Sequence, residues 1–152
     1  MTFTTNSSEE TIEIGRKLGK KLTGGEFIVL VGDLGGGKTQ FTKGLAKGLG
    51  IVETIVSPTF TIERIYESPK KLILHHFDFY RLEKYDAEIE SEIADLSGSN
   101  QNIIVIEWGK NIPGALPQEY MEVNFEYESD EKRKITFKSF GNKYKKLLGE
   151  IK

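Results

Sequence analysis

The chain has no cysteine, one tryptophan, two methionines and two histidines in 152 residues. Without thiols it forms neither disulfides nor thiolate metal sites, and a reducing compartment suits it. It lacks any apolar run near the ~20 residues that a membrane-spanning helix needs. The opening stretch MTFTTNSSEE has no basic segment followed by an apolar one, so it does not read as a secretory signal, and the cytoplasm is the expected location. An excess of charge of either sign is also missing: 21 Lys and Arg against 23 Asp and Glu give a net charge of −2. That argues against a surface that holds nucleic acid by general phosphate neutralisation. The one local basic run, KYKK (Lys143 to Lys146), reads as a solvated helix face.

What is present is ordinary for a globular protein, with 38% hydrophobic and 29% charged residues. The length suits one domain, and neither repeat nor linker interrupts it, so a single domain over 1–152 is expected. SSEETIEIGRKLGKKL reads as a helix opened by a capping box of Ser7 and Glu10, with Ile12, Leu18 and Leu22 toward one face. EFIVLV (Glu26 to Val31) is a continuous β-branched and aromatic run, the pattern of a strand covered on both faces. TQFTKGLAKGLGI places Phe41, Leu45 and Leu49 at helical spacing; Gly44 and Gly48 in it predict close packing on a sheet, and Gly50 predicts its end. Strand-like KLILHHFDF, an acidic helix DAEIESEIADLSG, a second continuous strand NIIVIEW, a hairpin with Val123, Phe125, Tyr127, Ile135 and Phe137 on its buried face, and a short closing helix complete the pattern.

Between EFIVLV and its following helix lies GDLGGGKT. Gly32, Asp33, Leu34, Gly35, Gly36, Gly37, Lys38 and Thr39 meet the pattern G-x-x-x-x-G-K-[ST] in its required setting, strand before and helix after. Glycines let successive N–H groups turn inward around an anion, and the helix N-terminus adds its positive end. Lys38 is then the phosphate ligand and the Thr39 hydroxyl a Mg²⁺ ligand. Such a metal needs a carboxylate at a neighbouring strand end. Glu107 ends IIVIE and Asp78 ends LILHHFD; one would help hold the metal and the other orient the attacking water, and the sequence leaves open which does which. SPTFT (Ser57 to Thr61) lies where a γ-phosphate-sensing loop belongs, and Thr59 and Thr61 read either as the sensing hydroxyl or as plain strand-entry threonines. Trp108 is either the edge of the core or a contact for a partner. His75 and His76 alternate faces of a strand and read as structural. Arg81 and Arg133 are candidate nucleotide contacts by charge alone, the alternative for each being a plain surface arginine.

The absence of an N-K-x-D segment favours adenine over guanine, and the absence of an arginine cluster argues against the lid of a small-molecule kinase. GDLGGGKT followed by SPTFT, HFDFYRL and IEWGKNIPGALP resembles the TsaE family, the bacterial P-loop ATPases of tRNA threonylcarbamoyladenosine biosynthesis. The resemblance runs nearly the whole chain, with Gly36 where the family usually has alanine and Gln40 where a second hydroxyl is common. It implies an α/β fold of P-loop NTPase type, a three-layer sandwich whose mixed parallel and antiparallel sheet is flanked by helices. It also implies ATP and Mg²⁺ as ligands and slow hydrolysis. The expected partner is a TsaB–TsaD pair that modifies adenosine 37 of tRNA, with tRNA met only through that pair, and with neither DNA nor membrane as partner. On this resemblance Gly35, Gly36, Gly37, Lys38, Thr39 and Gln40 hold the phosphates. Asp78 and Glu107 are the acidic pair and Trp108 the adjacent aromatic. Ser8, Thr11 and Arg133 flank the adenine. The rival readings are a P-loop phosphotransferase acting on a small metabolite and an assembly module without meaningful hydrolysis.

Overall fold

The structure is a computed structural model that describes residues 1–58, 61–83 and 86–151. Its elements run β1 (Thr2–Thr5), α1 (Ser8–Gly19), β2 (Phe27–Val31), α2 (Lys38–Leu49), β3 (Glu63–Glu67), β4 (Ile73–Asp78), α3 (Ala87–Ser97), β5 (Asn102–Glu107), β6 (Tyr120–Tyr127), β7 (Arg133–Phe140) and α4 (Asn142–Gly149). Two short 3₁₀ turns, Gly109–Asn111 and Pro113–Ala115, lie between β5 and β6.

The strands form one seven-stranded sheet in the order β1-β7-β6-β2-β5-β4-β3. Its centre is parallel: β2 pairs with β5 and β6, and β5 pairs with β4, all in the same direction. Antiparallel pairs β6/β7, β1/β7 and β3/β4 complete the two sides. This is the mixed, helix-flanked sheet that the family resemblance implies. The continuous apolar runs of β2 and β5 are explained by burial on both faces, because successive side chains point to opposite sides. Ile28, Leu30, Ile103 and Val105 enter one core with Leu18 of α1, Phe41, Leu45 and Leu49 of α2, and Tyr144 of α4. Phe27, Val29, Ile104 and Ile106 enter the other with Phe77, Phe79 and Ile93 of α3.

Helix α1 starts as its sequence says. The Ser7 hydroxyl accepts from the Glu10 N–H at 3.1 Å, while the Glu10 carboxylate reaches one residue further back than a capping box requires, to the Asn6 N–H at 2.8 Å. The helix buries Thr11, Ile14, Gly15 and Leu18, and Ile12 is only half-buried, so the buried stripe lies beside the expected one. The reason is the partner. Gly15 and Gly19 of α1 face Gly44 and Gly48 of α2, and each of these four positions is closed by backbone of the opposite helix. A Cβ on Gly44 would overlap the Ile12 carbonyl, and one on Gly48 the Arg16 carbonyl. The glycines of α2 therefore admit a helix, and the expectation that they pack on the sheet is corrected; the sheet-facing side of α2 carries its large side chains, Phe41, Leu45 and Leu49.

Two further differences concern strands. β1 is absent from the sequence reading, because four residues on a sheet edge carry too little periodicity to register. It pairs with β7, and Phe3 meets Phe137 edge-on at 5.7 Å between ring centroids. Tyr127, expected on the buried face of the hairpin, is 60% exposed; it is the last residue of β6, paired with Arg133 at the turn, and its ring lies 4.7 Å from the Arg133 guanidinium. The KYKK run does form a solvated face, with Tyr144 alone turned inward to accept a hydrogen bond from the Phe27 N–H at 2.6 Å. Among the described residues no helix is long and apolar enough to cross a membrane.

Candidate functional site

In an open parallel sheet the ligand site lies beyond the carboxyl ends of the strands. Here three neighbouring strands end there with polar groups: β2 runs into Gly32, β4 ends on Asp78 and β5 on Glu107. Asp78 and Glu107 are register partners across the β4/β5 pair. Both are buried, at 3% and 4% exposure, where unpaired carboxylates are costly. The Asp78 carboxylate accepts from the Tyr80 N–H at 2.9 Å, and Glu107 meets His76 Nε2 at 2.9 Å.

The Gly32–Thr39 loop wraps the end of β2. Gly35 and Gly37 hold φ of 77° and 106°, a region that side chains with a Cβ resist, so these two positions need glycine. Gly36 does not have positive φ, and a Cβ there would lie 3.0 Å from the Asp33 carbonyl oxygen. Gly37 precedes α2 and provides no side-chain cap, which leaves the first-turn N–H groups of the helix without side-chain partners. Lys38 folds back under the loop: its ammonium donates to the Gly32 carbonyl and, at 3.0 Å, to the Asp33 carbonyl. Burial pushes its pKa down, and the charges of Glu107, Asp78 and Asp33 oppose that shift.

These groups open onto one cavity of ≈ 490 Å³. Its floor is the loop from Leu34 through Gly35, Gly36 and Gly37 to Lys38, Thr39 and Gln40, with Asp78 and Glu107 beside it. One wall is the start of α1 with Ser7, Ser8, Glu9 and Thr11, and another is the β6–β7 turn with Asp130, Glu131 and Arg133. Residues up to 126 positions apart thus share a rim, from Ser7 to Arg133. Arg133 spans the gap, donating to the Gly35 carbonyl at 3.2 Å and to the Ser129 carbonyl at 2.6 Å. Edge strand β1 delivers the α1 wall, and the buried pair of hydroxyls Thr5 and Thr11, 2.9 Å apart, fixes it.

Ser8, Thr11, Gly35, Gly36, Gly37, Lys38, Thr39, Gln40, Asp78, Glu107 and Arg133 all line this cavity, whereas Arg81, Thr61 and Trp108 do not. Arg81 is exposed and is not among the described lining residues. Thr61 turns its hydroxyl back on its own segment, donating to the Glu63 carbonyl at 3.2 Å, and among the described residues of that segment Ser57 lines the cavity. Thr59 lies outside the described residues. Trp108, in the left-handed region at φ 59°, packs on the edge of the second core. Its ring lies 4.9 Å from that of Tyr80 and 4.8 Å from the Lys110 ammonium, and it borders a separate groove of ≈ 380 Å³. Sequence reasoning missed Ser7, Glu9, Ser57, Asp130 and Glu131 at the rim, and the contact of His76 with Glu107. For Asp130 and Glu131 no local signal exists, because only the sheet order brings the hairpin turn over the loop.

Among the described residues no group of three or more His, Cys, Asp and Glu forms a metal site. Two carboxylates and the Thr39 hydroxyl in one cavity are an incomplete set of hard oxygen donors. Such a set fits Mg²⁺, which keeps water and substrate oxygens as its remaining ligands.

A family model described as "Threonylcarbamoyl adenosine biosynthesis protein TsaE" matches residues 5–135. The Bacillus subtilis tRNA threonylcarbamoyladenosine biosynthesis protein TsaE is 40% identical over 147 residues, covering 97% of this chain and 90% of that one. The protein of the same name from Treponema pallidum is 37% identical over 140 residues, covering 90% and 98%. Among solved structures, Bacillus subtilis YdiB superposes with a TM-score of 0.83 at 34% identity, over 99% of this chain and 93% of that one. With a family match over most of its length, relatives that pair with it nearly end to end, and the same fold in a solved neighbour, the chain belongs to the TsaE family.

Proposed function

We propose that this protein binds ATP with Mg²⁺ in the ≈ 490 Å³ cavity and hydrolyses it slowly, as a nucleotide-driven switch in tRNA threonylcarbamoyladenosine formation. The observation that carries the reading is the convergence of Lys38, Thr39, Asp78 and Glu107 on the rim of one glycine-rich loop. Loop amides and the α2 N-terminus surround the phosphates, and Lys38 exchanges its carbonyl partners for them. Thr39 and one carboxylate would hold the metal, which would supply neutralisation of phosphate charge. The other carboxylate orients a water whose oxygen bonds to the γ-phosphorus as the bond to the β,γ-bridging oxygen breaks. ADP leaves with that bridging oxygen, and the water's proton passes to bulk solvent. Ser8, Thr11 and Arg133 border the adenine.

The partner is a TsaB–TsaD-like pair, which is the part of the proposal that rests on family membership and the names of relatives. Loss of the γ-phosphate would release the segment that includes Ser57 and change the surface presented to that pair. The test is phosphate release from ATP alone, with the purified pair, and with small-molecule acceptors, together with ATP-dependent capture of the pair. Stimulation by the pair with free phosphate as product supports the switch; a phosphorylated small molecule would replace it with a phosphotransferase.

A further inference from the structure

Two adjacent histidines, both buried, do different things. His75 engages both ring nitrogens, Nδ1 with Glu63 at 2.9 Å and Nε2 with Asn102 at 3.1 Å, and so ties β3, β4 and β5 together. His76 points to the opposite face, the face of α2 and the glycine-rich loop, with Leu74 before it and Asp78 after it on the same side. It is 0% exposed. Its Nε2 meets Glu107 Oε1 at 2.9 Å, and its Nδ1 is buried without a hydrogen-bond partner among the described residues.

A carboxylate oxygen only accepts, so the shared proton sits on Nε2, and in the neutral ring Nδ1 is then a bare lone pair. Burying that lone pair unpaired carries a free-energy cost that a leucine at the same place would not. The benefit that sets imidazole apart from a hydrocarbon here is the bond to Glu107. The carboxylate in turn lines the cavity. From these relationships we infer that His76 is a positioning residue: its Nε2–H fixes the Glu107 carboxylate in the orientation that ATP turnover needs. The inference rests on the proposal that Glu107 is one of the two acids that serve ATP turnover. Partners that orient an acting carboxylate typically matter ~10- to 100-fold in activity or metal affinity.

The experiment compares wild type with His76→Leu, His76→Gln and Glu107→Gln. For each, turnover at saturating ATP and Mg²⁺ and ATP affinity are measured separately. His76→Leu should lower kcat ~10-fold or more and leave ATP affinity within about threefold, as expected when a group acts after binding. His76→Gln, whose amide can still donate, should recover most of the loss. A second readout needs neither nucleotide nor turnover. The chain has two histidines, so ¹⁵N spectra of the imidazoles of the free protein resolve which nitrogen of His76 carries the proton. A proton on Nε2 supports the inference, and a proton on Nδ1 alone overturns it. Wild-type kcat in His76→Leu, or a glutamine variant no better than the leucine one, also overturns it. If Glu107→Gln keeps full turnover, the assignment of Glu107 fails and this inference with it; if Glu107→Gln is inactive and His76→Leu is not, only the role of His76 fails.

Discussion

Asp78 and Glu107 sit directly opposite each other at the ends of two parallel strands, buried side by side. Their different contacts, a backbone N–H for Asp78 and an imidazole for Glu107, give two similar acids unlike surroundings. Between them and the loop lies Lys38, whose ammonium both carboxylates help to keep charged against its burial.

Removing that ammonium is the most direct test of phosphate binding. Lys38→Ala should raise the ATP dissociation constant ~100-fold or more, since charge-assisted contacts to phosphate are among the strongest polar interactions. Calorimetry on the folded variant measures it, and an unchanged affinity would remove the phosphate role from the loop.

Glu107→Gln is nearly isosteric and keeps an acceptor for His76. We expect it to bind ATP like the wild type and to lose turnover by ~100-fold or more, consistent with a group that acts during the chemical step. Single-turnover phosphate release, read beside a binding isotherm, separates the two effects.

The contact between α1 and α2 predicts a sharp contrast among glycines. Gly44→Ala forces a methyl against the Ile12 carbonyl and should lower stability by ~2–4 kcal/mol through overpacking of backbone. Gly149→Ala, at the end of α4 with nothing within 4 Å of its added methyl, should be neutral or stabilising by up to ~1 kcal/mol. Urea denaturation of both variants tests the pair. Equal effects would mean that the helices do not approach as closely as described.

Tyr144 supplies an alkaline signature. Burial is the main cause that pushes its phenol from 10 up to about 12, opposed in part by the Phe27 N–H that it accepts. An acid whose folded pKa is raised gives up stability as pH climbs, because the unfolded chain ionises first. The contribution is fully present below pH 10 and is lost by about pH 12. Denaturation midpoints measured from pH 9 to pH 12 should fall, and Tyr144→Phe should lack that component of the fall. The same slope in both proteins would assign it to other groups.

Much of the central architecture could be read along the chain. EFIVLV and NIIVIE advertise buried parallel strands because apolar residues run unbroken from Phe27 to Val31 and from Ile103 to Ile106, and GDLGGGKT advertises an anion-binding turn because it joins such a strand to a helix. Local signals failed where the cause was not local. β1 is too short to show a period, and Tyr127 alternates correctly but stands exposed at the turn end of β6. Gly44 and Gly48 were legible as a close approach, but what approaches them is fixed by Gly15 and Gly19 in a helix 29 residues earlier in the chain.

The order of residues by itself therefore determined the chemical inventory: glycines with the freedom to curl around an anion, one lysine, one threonine and two acids at strand ends. Tertiary structure alone decided how that inventory is assembled. It set the hairpin turn with Arg133 over the loop, stood the start of α1 beside it, and aimed His76 rather than His75 at Glu107. The physical reason is that backbone preference and side-chain alternation act over a few residues. Strand order, register and helix contact are settled by which buried surfaces fit together across the whole sheet.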